Sequence, residues 1–259
     1  MRGAAAYLLD LDGTLYESGA AIAGAVDSLA RLRRRGTPFR LVTNTTSRSR
    51  ATLVTRLSGY GFEVQPDDIF TATLAGVGVL RAAGHHTVAP FVPQGALEDM
   101  RDLTLAGGTC GKPRAAATDA VVIGDLGERW SFGLMQEAFE LLLAGAALVA
   151  LSRDRYWQRD GHLTLDAGPF VAGLEFATGT TAQVTGKPSK AFFEAAVATL
   201  GVPAGSVAMV GDDLWSDVEG AQRAGLQGWL VRTGKFREHL LSSASVRPDL
   251  ILASVADLP

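Results

Sequence analysis

Both ends of the chain alternate short apolar runs with helical patterns, and this alternation is the strongest restriction on its fold. Near the N-terminus, Tyr7-Leu8-Leu9 reads as a strand, and Val26, Leu29, Ala30 and Leu32 then mark one face of a helix closed by Gly36. Phe39-Arg40-Leu41-Val42 is the next strand, and Leu53, Val54 and Leu57 mark a helix ended by Gly59. Towards the C-terminus, Phe192 to Leu200 reads as helix, Val207 to Val210 as strand, Val218 to Ala224 as a helix stopped by Gly225, and Trp229 to Val231 as strand. Strand–helix repetition of this kind builds βαβ units, which place parallel strands in one sheet between layers of helix.

Between these halves lies a stretch with an α/β rhythm of its own. Val121 to Ile123 reads as strand, Leu134 to Leu143 as helix, Leu148 to Leu151 as strand, and Gly168-Pro169 opens a helix from Phe170 to Ala177. At 259 residues the chain exceeds one simple domain. The economical expectation is a core built from residues 1–72 and 181–259, with a second α/β domain inserted at 73–180.

Composition narrows the function classes. A hydrophobic fraction of 47% supports a packed core, and a net charge of −3 lacks the clustered cations that nucleic-acid or membrane-surface binding demands. Arg31, Arg33, Arg34 and Arg35 are a local exception, expected as the solvated end of an amphipathic helix. The single cysteine, Cys110, has no intramolecular disulfide partner, and no Cys/His metal cluster is present. The apolar N-terminus runs into Asp10 too early for a signal peptide. No apolar run approaches the roughly 20 residues of a membrane span, so a soluble, cytoplasmic protein is expected.

Several core strands end in polar, reactive residues. The first runs into Asp10-Leu11-Asp12-Gly13-Thr14, the second into Thr43-Asn44-Thr45, and a later one into Gly211-Asp212-Asp213, with Asp217 following. In an open parallel sheet the carboxyl ends of the strands share one edge, and ligands bind there. Carboxylates gathered at such an edge repel one another unless a cation joins them, and an all-oxygen donor set suits magnesium better than zinc. Lys187, after the apparent strand Gln183-Val184-Thr185, can bring a positive charge to the same edge. A divalent cation and a lysine suit a dianionic phosphate, whose transfer is accelerated by positioning and charge neutralisation. Gly13 lets the backbone approach closely, so that amides near Leu11 and Asp12 can donate to phosphate oxygens. An isolated Asp-x-Asp, or an Asp at a strand end, is commonly a cap or turn former. The order and placement of all four elements together set this chain apart.

These four elements resemble the signature motifs of the haloacid dehalogenase-like hydrolases. They are Asp10-Leu11-Asp12-Gly13-Thr14, then Thr43, then Lys187, then Gly211-Asp212-Asp213 with Asp217. The resemblance covers nearly the whole chain and implies a Rossmann-like, doubly wound parallel-sheet core with a large inserted α/β cap. The stretches Val42 to Thr46, Gly168 to Val171 and Gly186-Lys187-Pro188 are most similar to one branch of large-capped phosphatases. That branch holds phospholysine phosphohistidine inorganic pyrophosphate phosphatase and its hydrolase-domain-containing relatives, beside the nucleotide-directed and p-nitrophenyl phosphatases. By this resemblance Asp10 is the nucleophile that takes up the phosphoryl group, and Asp12 is the general acid and base. Thr43 and the Asn44 amide hold phosphate oxygens, and Lys187 neutralises charge. Magnesium is held by the Asp10 carboxylate, the Asp12 carbonyl and Asp212, with Asp217 as an outer partner and Asp213 unassigned. Asp12 argues against dehalogenation, which has no leaving oxygen to protonate.

The cap is expected to choose the substrate. Arg153 or Arg155, after an apparent cap strand, could pair with an anionic leaving group, and Tyr156 and Trp157 could stack on it or pack the cap. His85, His86, His162 and His239 are scattered and receive no catalytic role. The expected partner is a small phosphorylated substrate (a monoester, pyrophosphate or a phosphoramidate). Alternatives are a protein phosphohistidine or phospholysine phosphatase and a non-catalytic phosphate-binding module. A homodimer through the cap is expected from the resemblance alone.

Overall fold

The computed structural model describes residues 3–159 and 162–259. The chain divides into two compact units, one of Met1–Thr43, Leu53–Phe70 and Lys187–Pro259, the other of Asn44–Thr52 and Thr71–Gly186. Segment 44–52, assigned to the core from sequence, therefore groups with the insertion, as do residues 181–186. Contacts within the second unit account for this. Thr46 Oγ1 accepts from the Asp125 amide at 3.1 Å, and Arg50 pairs with Asp99 at 2.8 Å.

The first unit holds a six-stranded sheet in the order Leu250–Leu252, Gln227–Val231, Val207–Gly211, Ala6–Asp10, Phe39–Thr43, Ile69–Thr71. Ala6–Asp10 is buried along its whole length and pairs in parallel with Val207–Gly211 on one side and Phe39–Thr43 on the other. An unbroken apolar run is what a strand covered on both faces requires. The helix Ala25–Arg34 buries Ala25, Ser28, Leu29 and Leu32, a spacing of three and four that keeps them on one stripe. Its basic end is less solvated than the pattern suggests. Arg31 donates to the carbonyls of Ala256 and Leu258 at 2.9 and 3.0 Å, so it fastens the C-terminal segment, while Arg34 and Arg35 are exposed. The helix expected at Val218–Ala224 starts earlier, as a π-helical turn over Leu214–Glu219 that passes into the α-helix Gly220–Arg223.

The second unit holds a five-stranded parallel sheet in the order Gln183–Val184, Ala147–Ala150, Ala120–Ile123, Thr87–Phe91, Thr104–Leu105. The helix Phe132–Leu143 buries Ala138, Leu141 and Leu142. The helix Gly168–Thr178 carries Pro169 in its first turn, where the missing N–H leaves no gap in the ladder. Tyr156–Arg159 and His162–Leu165 form an antiparallel pair. Thr87–Phe91 is hidden in the sequence by Pro90, and the helix Ala72–Ala82 by Gly76 and Gly78. Among the described residues, no helix is long and apolar enough to cross a membrane.

Candidate active site

The middle of the first unit's sheet brings the reactive residues together. Asp10 ends its strand opposite Val42, which places Thr43 one residue further along the adjacent strand. On the other side Val210 pairs with Leu9, so Gly211 and Asp212 emerge beside Asp10. Asp10, Thr43, Lys187, Asp212 and Asp217 are all buried, whereas Asp12 is exposed.

Lys187 is the hub. Its Nζ donates to Asp10 Oδ1 at 2.5 Å and to Asp217 Oδ1 at 2.7 Å. Burial works against its charge, but the carboxylates of Asp10 and Asp217 outweigh burial and hold its pKa above the ordinary lysine value. Asp217 also accepts from the Asp213 amide on Oδ2 at 3.1 Å, so both of its oxygens are engaged by protein donors. That arrangement suits an orienting carboxylate. Gly211 has no room for a side chain, since a Cβ there would run into the Asp217 carboxylate.

Asp212 is held by a loop that the sequence motifs do not mark. The Lys235 amide donates to Asp212 Oδ2 at 2.7 Å, and Thr233 Oγ1 donates to the Gly13 carbonyl at 2.5 Å. Gly13 has φ +77°, and a Cβ on it would collide with the Asp212 carboxylate. Glycine is thus demanded here twice, by backbone conformation and by space. Asp213, unassigned from sequence, caps the helical segment that follows: its Oδ1 accepts from the amides of Trp215 and Ser216, both at 3.1 Å. Burial opposes its ionisation, but the Lys235 ammonium, 3.1 Å from Asp213 Oδ2, and these amides keep its pKa low.

Asp10, Asp212 and Asp217 each present an oxygen within 4.8 Å of the others, all three buried. Burial, then the charges of Asp10 and Asp217, push Asp212 up to about 8. Burial pushes Asp217 up to about 6, moderated by Lys187. Lys187 reaches two of the three carboxylates and the Lys235 ammonium, paired with Asp213, acts on Asp212 only at longer range, so negative charge stays unmatched, and the donors are hard oxygens. The residues fit a divalent cation of the magnesium kind.

Asp12 meets a neighbour that the motif reading missed. Tyr16 Oη donates to Asp12 Oδ2 at 2.9 Å, from a buried ring that lies 5.3 Å from the Tyr60 ring. Only its position four residues after Asp12 could have signalled this. Asn44, paired with Thr43 in the sequence reading, belongs to the second compact unit. In that unit Arg153 is paired with Glu175 at 2.5 Å, and the Arg155 guanidinium lies over the Tyr156 ring at 5.8 Å. Tyr156 and Trp157 are substantially exposed.

Known proteins resemble this chain along nearly its whole length. The haloacid dehalogenase-like hydrolase profile matches residues 7–106, and a second profile of HAD-like hydrolases matches residues 184–258. The chain is 40% identical over 238 residues to haloacid dehalogenase-like hydrolase domain-containing protein 2 of Bos taurus, covering 91% of this chain and 87% of that protein. It is 36% identical over 265 residues to phospholysine phosphohistidine inorganic pyrophosphate phosphatase of Homo sapiens, covering 99% and 93%. Among solved structures it is similar to a p-nitrophenyl phosphatase from Archaeoglobus fulgidus, with TM-score 0.88, 27% identity, and 99% and 98% of the two chains covered. It is also similar to a glycerol phosphate phosphatase from Mycobacterium tuberculosis in complex with magnesium, with TM-score 0.85, 30% identity, and 98% and 77% covered. The chain belongs to the haloacid dehalogenase-like hydrolase family.

Proposed function

We propose that this phosphatase hydrolyses small phosphate monoesters, pyrophosphate or phosphoramidates through a phosphoryl group carried on Asp10, with magnesium as its cation. The observation that carries the reading is the buried array in which Lys187 joins Asp10 to Asp217 while Asp212 stands within 4.8 Å of both. Asp10 and Asp212, with the Asp12 carbonyl, would hold the cation, and Asp217 would orient Lys187. When bound, the cation supplies neutralisation of charge on the phosphoryl oxygens.

The chain's own groups then divide the work. An Asp10 carboxylate oxygen attacks phosphorus, and the bond from phosphorus to the leaving oxygen breaks as Asp12 gives that oxygen its proton. Water next attacks the phosphorylated Asp10, returning a proton to Asp12 and releasing inorganic phosphate. Lys187 offsets negative charge on Asp10 and the phosphoryl group, and the Thr43 hydroxyl receives a phosphoryl oxygen. The names of the relatives support this substrate range, since they include phosphatases of p-nitrophenyl phosphate, glycerol phosphate, phosphoramidates and pyrophosphate.

The test is turnover of p-nitrophenyl phosphate, glycerol phosphate, pyrophosphate and phospholysine, with and without chelator. Turnover should vanish on chelation and return with magnesium, and magnesium should raise the thermal midpoint. Undiminished turnover by metal-free enzyme would overturn the cation assignment. A protein phosphatase is the second reading, supported by the 36% identity to the phospholysine phosphohistidine enzyme. Turnover of an intact phosphohistidine protein, but of none of the small substrates, would favour it.

A further inference from the structure

We infer that Tyr16 is a positioning residue for the reaction: its hydroxyl occupies Asp12 Oδ2 so that every proton entering or leaving Asp12 does so at Oδ1. The inference rests on the proposed acid–base role of Asp12 and extends it.

The geometry is that of a clamped donor. Tyr16 Oη donates to Asp12 Oδ2 at 2.9 Å. The donor is held on three sides. Tyr16 is 2% exposed, the Arg56 guanidinium sits over its ring at 4.8 Å, and the Tyr60 ring lies 5.3 Å away. Arg56 is itself fixed by donating Nε to Tyr60 Oη at 3.0 Å. The backbone is tied as well, because the Gly13 amide donates to the Tyr16 carbonyl at 2.8 Å and residues 12 and 16 form an isolated β-bridge. A buried tyrosine has one proton to give, and this one is given to Asp12. A phenol ordinarily keeps its proton at neutral pH, so Tyr16 is the donor of this pair.

The consequence follows from the two oxygens of a carboxyl group. Asp12 is exposed and, without a partner, could present either oxygen in several rotamers. With Oδ2 accepting from Tyr16, the acidic proton resides on Oδ1. In the first step that proton passes from Oδ1 to the leaving oxygen as its bond to phosphorus breaks. In the second, Oδ1 recovers a proton from the water that displaces phosphate from Asp10. Tyr16 exchanges no proton in either step and touches no reacting atom.

The test is Tyr16→Phe, which removes only the hydroxyl, assayed on a series of phosphate esters of graded leaving-group pKa. The expected result is a steeper fall of kcat/KM with leaving-group pKa, about tenfold for alkyl esters and little for activated aryl esters. KM should stay within about twofold, and phosphorylated enzyme should build up in rapid quench. Added to Asp12→Asn, the same change should cause no further loss, because both act through one group. Unchanged slope and rate, or a uniform loss across all esters with a lowered thermal midpoint, would overturn the inference. Should Tyr16→Phe not fold, Arg56→Met loosens the same ring and must steepen the slope; an unchanged slope there overturns it too. Failure of the underlying reading is separate: Asp12→Asn would then leave the slope untouched.

Discussion

Lys187 Nζ stands 2.5 Å from Asp10 Oδ1, a contact between residues 177 positions apart. It joins the residue before the cis peptide bond to Pro188 with the last residue of the strand Ala6–Asp10. The same ammonium reaches Asp217, so one cation compensates two buried carboxylates.

Lys187→Met should therefore weaken the fold as well as abolish turnover. Breaking a buried pair from one side typically costs about 3–5 kcal/mol, because the remaining charge has no partner. The thermal midpoint at pH 7.5 should fall by on the order of 10 °C. Scanning calorimetry without added metal is the measurement, and an unaltered midpoint would show that the pair contributes nothing to stability.

Asp10→Asn should behave in the opposite way. The amide is a poor nucleophile, so turnover should fall by at least about 10³-fold. Removing one of three clustered carboxylates relieves repulsion, so the midpoint should hold or rise. Wild-type turnover in this variant would exclude Asp10 as the nucleophile. A beryllium or aluminium fluoride complex should bind against Asp10 in the native protein.

Asp12→Asn should separate the two chemical steps. General acid–base help is worth about 10²–10⁴-fold, and loss of this order is expected on alkyl phosphates. Activated aryl esters need no proton on the leaving oxygen, so they should still phosphorylate Asp10, and the phosphorylated enzyme should accumulate in rapid quench. Equal losses on both ester classes, with no trapped phosphoenzyme, would contradict this division of labour.

Asp166 predicts a pH dependence in the second unit. Burial, then the charges of Asp125 and Asp154, raise its pKa to about 7, although the Ala167 amide donates to Oδ1 at 2.5 Å. An acid raised in the folded state binds its proton more tightly there than in the unfolded chain. Its contribution is therefore most favourable below the unfolded value near 3.8 and is lost as pH rises towards 7. Asp166→Asn should raise the thermal midpoint at pH 8 by a few degrees and change it less at pH 5. An equal shift at both pH values would show that ionisation of Asp166 is not what destabilises the fold.

The sequence by itself determined the parallel α/β class and which acidic residues follow its strands. Apolar runs such as Ala6 to Leu9 and Val207 to Val210, each followed by acidic residues, have one physical reading, a buried strand delivering polar groups to a sheet edge. Strand order was enough to expect Asp10 and Asp212 at one sheet edge, and the register of Ala6–Asp10 against Val207–Gly211 sets them side by side.

What only the tertiary structure decided is which atoms meet. Lys187 lies beyond a two-residue strand with no periodicity to mark it, and its engagement of both Asp10 and Asp217 depends on packing across the sheet. Thr233 and Lys235 follow the strand Gln227–Val231 and carry no motif, yet they hold Gly13 and Asp212. Asp213, unassigned from sequence, is a helix cap, since neighbouring carboxylates are alike in sequence until folding aims one inward and the other at backbone amides. Tyr16 was silent for the same reason. Nothing in its sequence surroundings marks it, yet its ring is buried, its hydroxyl meets Asp12, and Arg56 of the helix Arg50–Gly59 and Tyr60 just beyond that helix pack against the ring. Hydrogen bonds are short and directional, whereas hydrophobic patterning is neither, so one-dimensional periodicity reports burial and leaves the partners to the fold.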